Sequence, residues 1–170
     1  FFEIIANVVS KNVLALLFIL IYLAYNKDWG KFTLLSLGAA GVCCEFVKMT
    51  VARLRPYAVV DKVKCIYANV PDQNPLDFKI QGYSFPSGHT QVAASEFLSI
   101  AVWQKKKKWI VAFCVFMTFL VMFTRNYLGV HTPQDVIASL LVSVAVIIVN
   151  KRLFEWIEKG KNRDLGVFFS

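Results

Sequence analysis

Acidic residues and histidines are scarce in this chain. Eleven Asp and Glu stand against 19 Lys and Arg, and the 170 residues include only two histidines, His89 and His131. No acidic cluster suited to a divalent cation is present, so no metal and no other cofactor is expected. The four cysteines form no framework. Cys43 and Cys44 are adjacent in an apolar run, Cys114 sits in another, and Cys65 is alone in a polar loop. That spacing fits neither a zinc site nor a disulfide scaffold, and they read as ordinary apolar packing. The first apolar run also lacks a small-residue cleavage site, so it is expected to be a retained span and not a cleavable signal.

What the chain has in abundance is apolar surface. Hydrophobic residues make up 57% and aromatics 15%, with a mean hydropathy of +0.54, against roughly 45–50% apolar content in ordinary globular domains. A membrane protein follows, and the length suits one domain over residues 1–170. Spans of roughly 20 apolar residues are required. Five runs come near that: about Val13–Tyr25, extended back through Ile4–Val9; Phe32–Val51; Thr90–Trp103; Trp109–Phe123; and Pro133–Val149. The expected fold is therefore an all-α polytopic transmembrane bundle of about five to six helices. The third run is short and carries Gln91, Ser95 and Glu96, so it is expected to be enclosed by the others.

In a soluble protein a net charge of +8 would raise nucleic acid as a partner. Here the charge sorts along the membrane instead, and no nucleic acid is expected. Antiparallel threading places Asn26–Lys31, Gln104–Lys108 and the tail from Asn150 on one face, with most of the lysines. All four tryptophans (Trp29, Trp103, Trp109 and Trp156) fall there too, as an interfacial belt requires. The positive-inside rule makes this face cytoplasmic. The opposite, periplasmic or outer, face carries the 56–86 loop, where lysines are balanced by aspartates; it is a candidate lid.

That outer face gathers segments far apart in sequence. Lys48 and Arg55 are seven residues apart, two helical turns, and so are expected on one helix face; two fixed cations there suit a phosphate. Arg53, off that face, reads as a snorkelling anchor. Glu45, one turn from Lys48, is a candidate partner for it. In SFPSGHT (Ser84–Thr90), Gly88 allows close backbone approach and a helix start directs N–H groups at an anion. Ser87 adds a hydroxyl and His89 a proton source. Thr132, Pro133 and Asp135 form a helix start. Capping alone accounts for Asp135, but it also lies one turn after His131, within reach of an imidazole N–H. Such a pairing fixes the tautomer and leaves the other ring nitrogen as nucleophile or base. Arg125 brings a third cation, and Glu96, seven residues after His89, shares its helix face.

These residues resemble the three-part signature of the type 2 phosphatidic acid phosphatase superfamily. KMTVARLRP (Lys48–Pro56) matches K-x-x-x-x-x-x-R-P, Pro86–His89 is P-S-G-H, and TRNYLGVHTPQD (Thr124–Asp135) matches S-R-x-x-x-x-x-H-x-x-x-D, with Thr124 in place of serine. The resemblance implies a metal-independent phosphomonoesterase or diphosphatase. In it His131 attacks phosphorus to form a phosphohistidine and Asp135 orients it. His89 protonates the leaving oxygen and then activates water. Lys48, Arg55, Ser87, Gly88 and Arg125 hold the phosphate oxygens.

A site at the outer membrane surface suits a lipid phosphate or diphosphate in the bilayer of a bacterial inner membrane. Phosphatidylglycerophosphate, undecaprenyl diphosphate, lipid A phosphate and phosphatidic acid are the substrates expected. The alternatives are a lipid phosphotransferase and a non-catalytic phospholipid-binding or transport protein; the complete histidine pair speaks against the last.

Overall fold

The computed structural model describes residues 26–60, 63 and 82–159. The first expected span, most of the 56–86 loop and the last eleven residues lie outside the described residues. The described residues form five helices: α1 Lys27–Val51, α2 Pro56–Val59, α3 Gly88–Trp103, α4 Lys108–Tyr127 and α5 Pro133–Lys159.

Local sequence accounts for the helix ends. Asn26 caps α1 by accepting the Trp29 N–H at 2.9 Å, and Asp28 sits in the first turn, where a negative charge complements the helix dipole. The other end of α1 stops at Ala52, which adopts the left-handed conformation (φ 46°, ψ 39°) and returns its N–H to the Lys48 carbonyl. Pro56 reinforces that stop, because a residue before proline is driven out of the helical region, and Arg55 is extended. Pro133 opens α5 at the position where its missing N–H costs nothing.

The helix α3 is the hub and packs on α1, α4 and α5. Its Ala93 and Ala94 are fully buried, and Ala93 meets Val121 of α4 with Leu34, Phe97 and Ile100 around them. Small residues let helix backbones approach closely where lipid supplies no hydrophobic drive between helices. The serine side chains of α3 find partners inside the bundle. Ser95 donates to the Gln91 carbonyl at 2.7 Å, Ser143 of α5 donates to the same carbonyl at 3.2 Å, and the two hydroxyl oxygens lie 3.2 Å apart. The expectation that the third run is enclosed is met.

Outward faces are apolar. Trp109, Phe113, Phe116, Phe119 and Phe123 of α4 are all exposed, as are Val42, Phe46 and Met49 of α1. Contiguous apolar exposure on this scale needs a non-aqueous partner. Among the described residues, three helical segments, Lys27–Val59, Lys108–Tyr127 and Pro133–Ile157, are long and apolar enough to cross a membrane.

The threading is antiparallel at both ends. Phe32 near the start of α1 meets Trp103 at the end of α3 and Phe154 near the end of α5, with ring centroids 6.0 and 5.5 Å apart. At the other end, the residues after α1 reach the turn before α3 and the start of α5.

Candidate active site

Three chain segments converge at that second end: residues 53–55 after α1, residues 82–88 leading into α3, and the α4–α5 turn, residues 128–135. His131 lies in the turn and is 4% exposed. Its Nδ1 is 2.9 Å from the Ser84 carbonyl oxygen and 3.7 Å from Asp135 Oδ2. A carbonyl can only accept, so Nδ1 carries the proton and Nε2 of the neutral ring keeps its lone pair. Arg55 Nη1 is 3.5 Å from Nε2. The expected pairing of Asp135 with the imidazole is present as a contact at 3.7 Å, but it is not the shortest one. The nearer acceptor is the backbone of Ser84, and the carboxylate stands one step behind it.

Asp135 is fully buried and well supplied with donors. Oδ2 accepts from the Ser84 hydroxyl at 2.5 Å and from the Thr132 N–H at 2.8 Å. Oδ1 faces Arg53 Nη1 at 3.4 Å. The Thr132 contact is a helix cap, so the capping and site readings of Asp135 hold together. Ser84 is fully buried as well and ties three segments: its N–H donates to the Arg53 carbonyl at 2.8 Å.

The left-handed Ala52 also overturns the expectation that Lys48 and Arg55 share a helix face. Arg55 lies beyond the end of α1 and turns toward the α4–α5 turn, donating to the Val130 carbonyl and, from Nε, to the Gly82 carbonyl, both at 3.2 Å. Arg53, read as an outward anchor, instead donates to Gln134 at 3.0 Å and reaches Asp135. Lys48 stays in the last turn of α1, 3.3 Å from Glu45 Oε1, the partner expected for it.

PSGH is a helix start, as expected. Ser87 is the N-cap of α3 and Gly88 its first residue. Ser87 is held from two sides. Its N–H donates to the Asp135 carbonyl at 3.2 Å, and its carbonyl accepts from Ser139 of α5 at 2.9 Å. The Asp135 carbonyl is also 2.9 Å from the Ser139 hydroxyl, whose single hydrogen is shared between the two carbonyls, so one hydroxyl locks the turn before α3 against α5. The Ser87 hydroxyl accepts from the Thr90 hydroxyl at 3.1 Å. His89 is the second residue of α3 and half-buried.

Arg125 is buried near the end of α4. Burial is the main force that lowers the His131 pKa to about 4, and the charges of Arg55 and Arg125 add to it while Asp135 opposes them. The ring is therefore neutral at physiological pH. Thr124 spends its hydroxyl on the Val121 carbonyl of its own helix, at 2.7 Å. Among the described residues Glu96 is fully buried and has no hydrogen bond at either carboxyl oxygen.

Three contributors escaped the sequence reading: Ser84, Arg53 and Asn126. The Asn126 amide, oriented by its surroundings, donates to the His131 carbonyl at 3.1 Å and the Thr132 carbonyl at 3.3 Å. Pro56 was the available signal for Arg53, since it forbids the continuous helix that would point Arg53 away.

Residues 29–159 match the family model of the PAP2 superfamily. An undecaprenyl-diphosphatase of Sulfolobus acidocaldarius is 32% identical over 108 residues, 64% of this chain and 47% of that protein. Phosphatidylglycerophosphatase B of Escherichia coli is 36% identical over 73 residues, 42% of this chain and 29% of that protein. The chain thus spans less than half the length of these two relatives. The crystal structure of Aquifex aeolicus LpxE superposes with a TM-score of 0.74 at 25% identity, covering 89% of this chain and 84% of that one.

Proposed function

Since the chain belongs to the PAP2 superfamily, we propose that it is an integral-membrane lipid phosphatase that works through a phosphohistidine. The observation that carries this reading is the Nδ1–H of His131 bound to the Ser84 carbonyl, which leaves Nε2 facing Arg55. In the first step Nε2 attacks phosphorus, the N–P bond forms, and the P–O bond to the leaving group (the lipid alcohol of a phosphomonoester or the lipid phosphate of a diphosphate) breaks as His89 gives the leaving oxygen a proton. In the second, water attacks the phosphohistidine, returns a proton to His89 and releases phosphate from Nε2. Asp135 stabilises the imidazolium character that develops in each step.

Phosphoryl transfer asks mainly for positioning and for neutralisation of the equatorial oxygens. Lys48, Arg55 and Arg125 supply positive charge, and the Ser87 hydroxyl and the Gly88 N–H supply neutral donors at the start of α3. These groups meet the electrostatic demand without a divalent cation. The lysine-rich end is the cytoplasmic one and the site opens at the opposite surface, the periplasmic or outer face of a bacterial inner membrane. The substrate is a phosphomonoester or diphosphate on a lipid: phosphatidylglycerophosphate, undecaprenyl diphosphate, lipid A phosphate or phosphatidic acid.

The test is a panel of these four lipids presented in detergent to the purified protein, with chelator present. Phosphate release, an acid-labile labelled phosphoprotein after quenching, and loss of both in His131→Ala are expected. Binding without turnover for every lipid would overturn the reading. Transfer of label to an added alcohol with no release to water would replace it by a phosphotransferase.

A further inference from the structure

At the end of the bundle away from His131, a groove of about 410 Å³ lies between α3, α4 and α5. Its walls are Leu98 and Val102 of α3, Val111 of α4, and Val144 and Ile148 of α5, with Lys105 and Lys151 also lining it. We propose that this groove binds one anionic phospholipid, with an acyl chain on the aliphatic walls and the phosphate between Lys105 and Lys151.

Four observations converge on that occupant. The groove runs along α5 from Val144 to Lys151, roughly 10 Å at the rise of a helix, so its apolar part lies deeper in the membrane than its cationic part. That is the polarity order of a lipid. Its volume is right for one chain. If a methylene group takes the ~30 Å³ share of a water molecule, the groove of about 410 Å³ has room for about fourteen methylenes. Neither Lys105 nor Lys151 is in an ion pair among the described residues, and no acidic residue lines the groove; Glu155, one turn beyond Lys151, lies outside the lining. Lastly, α4 and α5 touch each other far less than either touches α3, which leaves the groove between two helices that otherwise meet lipid. A zwitterionic lipid would bring a second, positive group to the same two lysines, so the charge selects the anionic class. The site is separate from the histidines and does not depend on the phosphatase reading.

Native mass spectrometry tests this with the full chain in detergent, given equal amounts of dioleoylphosphatidylglycerol and dioleoylphosphatidylcholine. The expected result is one retained phosphatidylglycerol in preference to phosphatidylcholine. Each lysine near an anionic headgroup contributes on the order of 1 kcal/mol, so Lys105→Ala with Lys151→Ala should weaken retention about tenfold to thirtyfold. Val144→Trp, which fills the groove and keeps both charges, should do the same. Lys106→Ala with Lys107→Ala removes equal charge beside the groove and should change retention less than about threefold. Equal weakening by the two lysine pairs would mean diffuse attraction and overturn the site. So would equal retention of both lipids, or no retained lipid at all, the result expected if a chain terminus or a second copy of the protein fills the groove.

Discussion

The backbone carbonyl of Ser84, and not the carboxylate of Asp135, is the acceptor that touches His131 Nδ1: 2.9 Å against 3.7 Å. The tautomer is therefore fixed by the main chain of the turn before α3. Asp135 then contributes charge and, through the Ser84 hydroxyl, position.

This division of labour separates two substitutions. His131→Ala should abolish phosphate release while the protein still folds. Asp135→Asn removes the charge but leaves the carbonyl to hold the ring, so kcat should fall about 10²-fold, at the mild end of what general catalysis contributes. Steady-state kcat on the best lipid of the panel, with helical content checked by circular dichroism, measures both. A loss in Asp135→Asn as complete as that of His131→Ala would show that the carboxylate alone sets the tautomer.

The buried His131 also sets a pH limit. Its pKa is lowered to about 4, chiefly by burial, and the protonated ring cannot attack phosphorus. The acid limb that His131 imposes on kcat/KM should therefore lie below pH 5, well under the value of roughly 6.5 for a solvated imidazole. The sign for stability is the same. Between about 4 and roughly 6.5 the unfolded chain binds the proton more readily than the folded one, so stability falls as pH drops through that window. A pH–rate profile together with thermal unfolding at each pH tests this; an acid limb of kcat/KM near 6.5 that shifts in Arg125→Gln would contradict it.

The two arginines after α1 should differ in weight. Arg55 stands 3.5 Å from Nε2, the nitrogen proposed as nucleophile, so Arg55→Ala should cost about 10²- to 10³-fold in kcat, as loss of a transition-state donor does. Arg53 reaches only Asp135 and Gln134, and its side chain is 41% exposed, which weakens the pair through solvent screening. Arg53→Ala should cost about tenfold or less in kcat with KM unchanged. Comparable losses in the two variants would place Arg53 on the substrate.

Much of this was legible from residues alone. Four of the five expected apolar runs coincide with the helices α1, α3, α4 and α5, because long apolar runs and the interruptions at Asn26, Gln104–Lys107 and Pro133 leave few alternatives. Of these, α1, α4 and α5 are long and apolar enough to cross a membrane. Convergence of Arg55, Ser87, Gly88, Arg125, His131 and Asp135 at one end follows once the threading is antiparallel. Two kinds of fact were not legible. The left-handed turn at Ala52 depends on how the chain leaves α1 toward Ser84, and alanine gives no local sign of positive φ. The role of Ser84 is carried by its main chain, which no side-chain pattern encodes. Its hydroxyl, two residues before PSGH, looks like an ordinary turn serine until Asp135 is brought 2.5 Å away.

Glu96 offers the sharpest test of which buried polar groups serve the reaction. It is fully buried in the hub helix, and among the described residues neither carboxyl oxygen has a hydrogen-bond partner. Burying such a group unsatisfied costs about 1–3 kcal/mol, whereas a leucine of similar volume has nothing left to desolvate. Glu96→Leu should therefore stabilise the fold, raising Tm by roughly 2–10 °C for a chain of this size. Among the described residues no hydrogen bond or ion pair joins Glu96 to the site, so kcat should stay within about threefold of the parent, a change below the roughly tenfold that 1.4 kcal/mol produces. Thermal unfolding and kcat on the same preparation decide between two outcomes. A raised Tm with kcat kept would make Glu96 a bystander in the core. A raised Tm with kcat down more than tenfold would mean that stability is given up for function and that the carboxyl acts on His89, two turns away on the same helix.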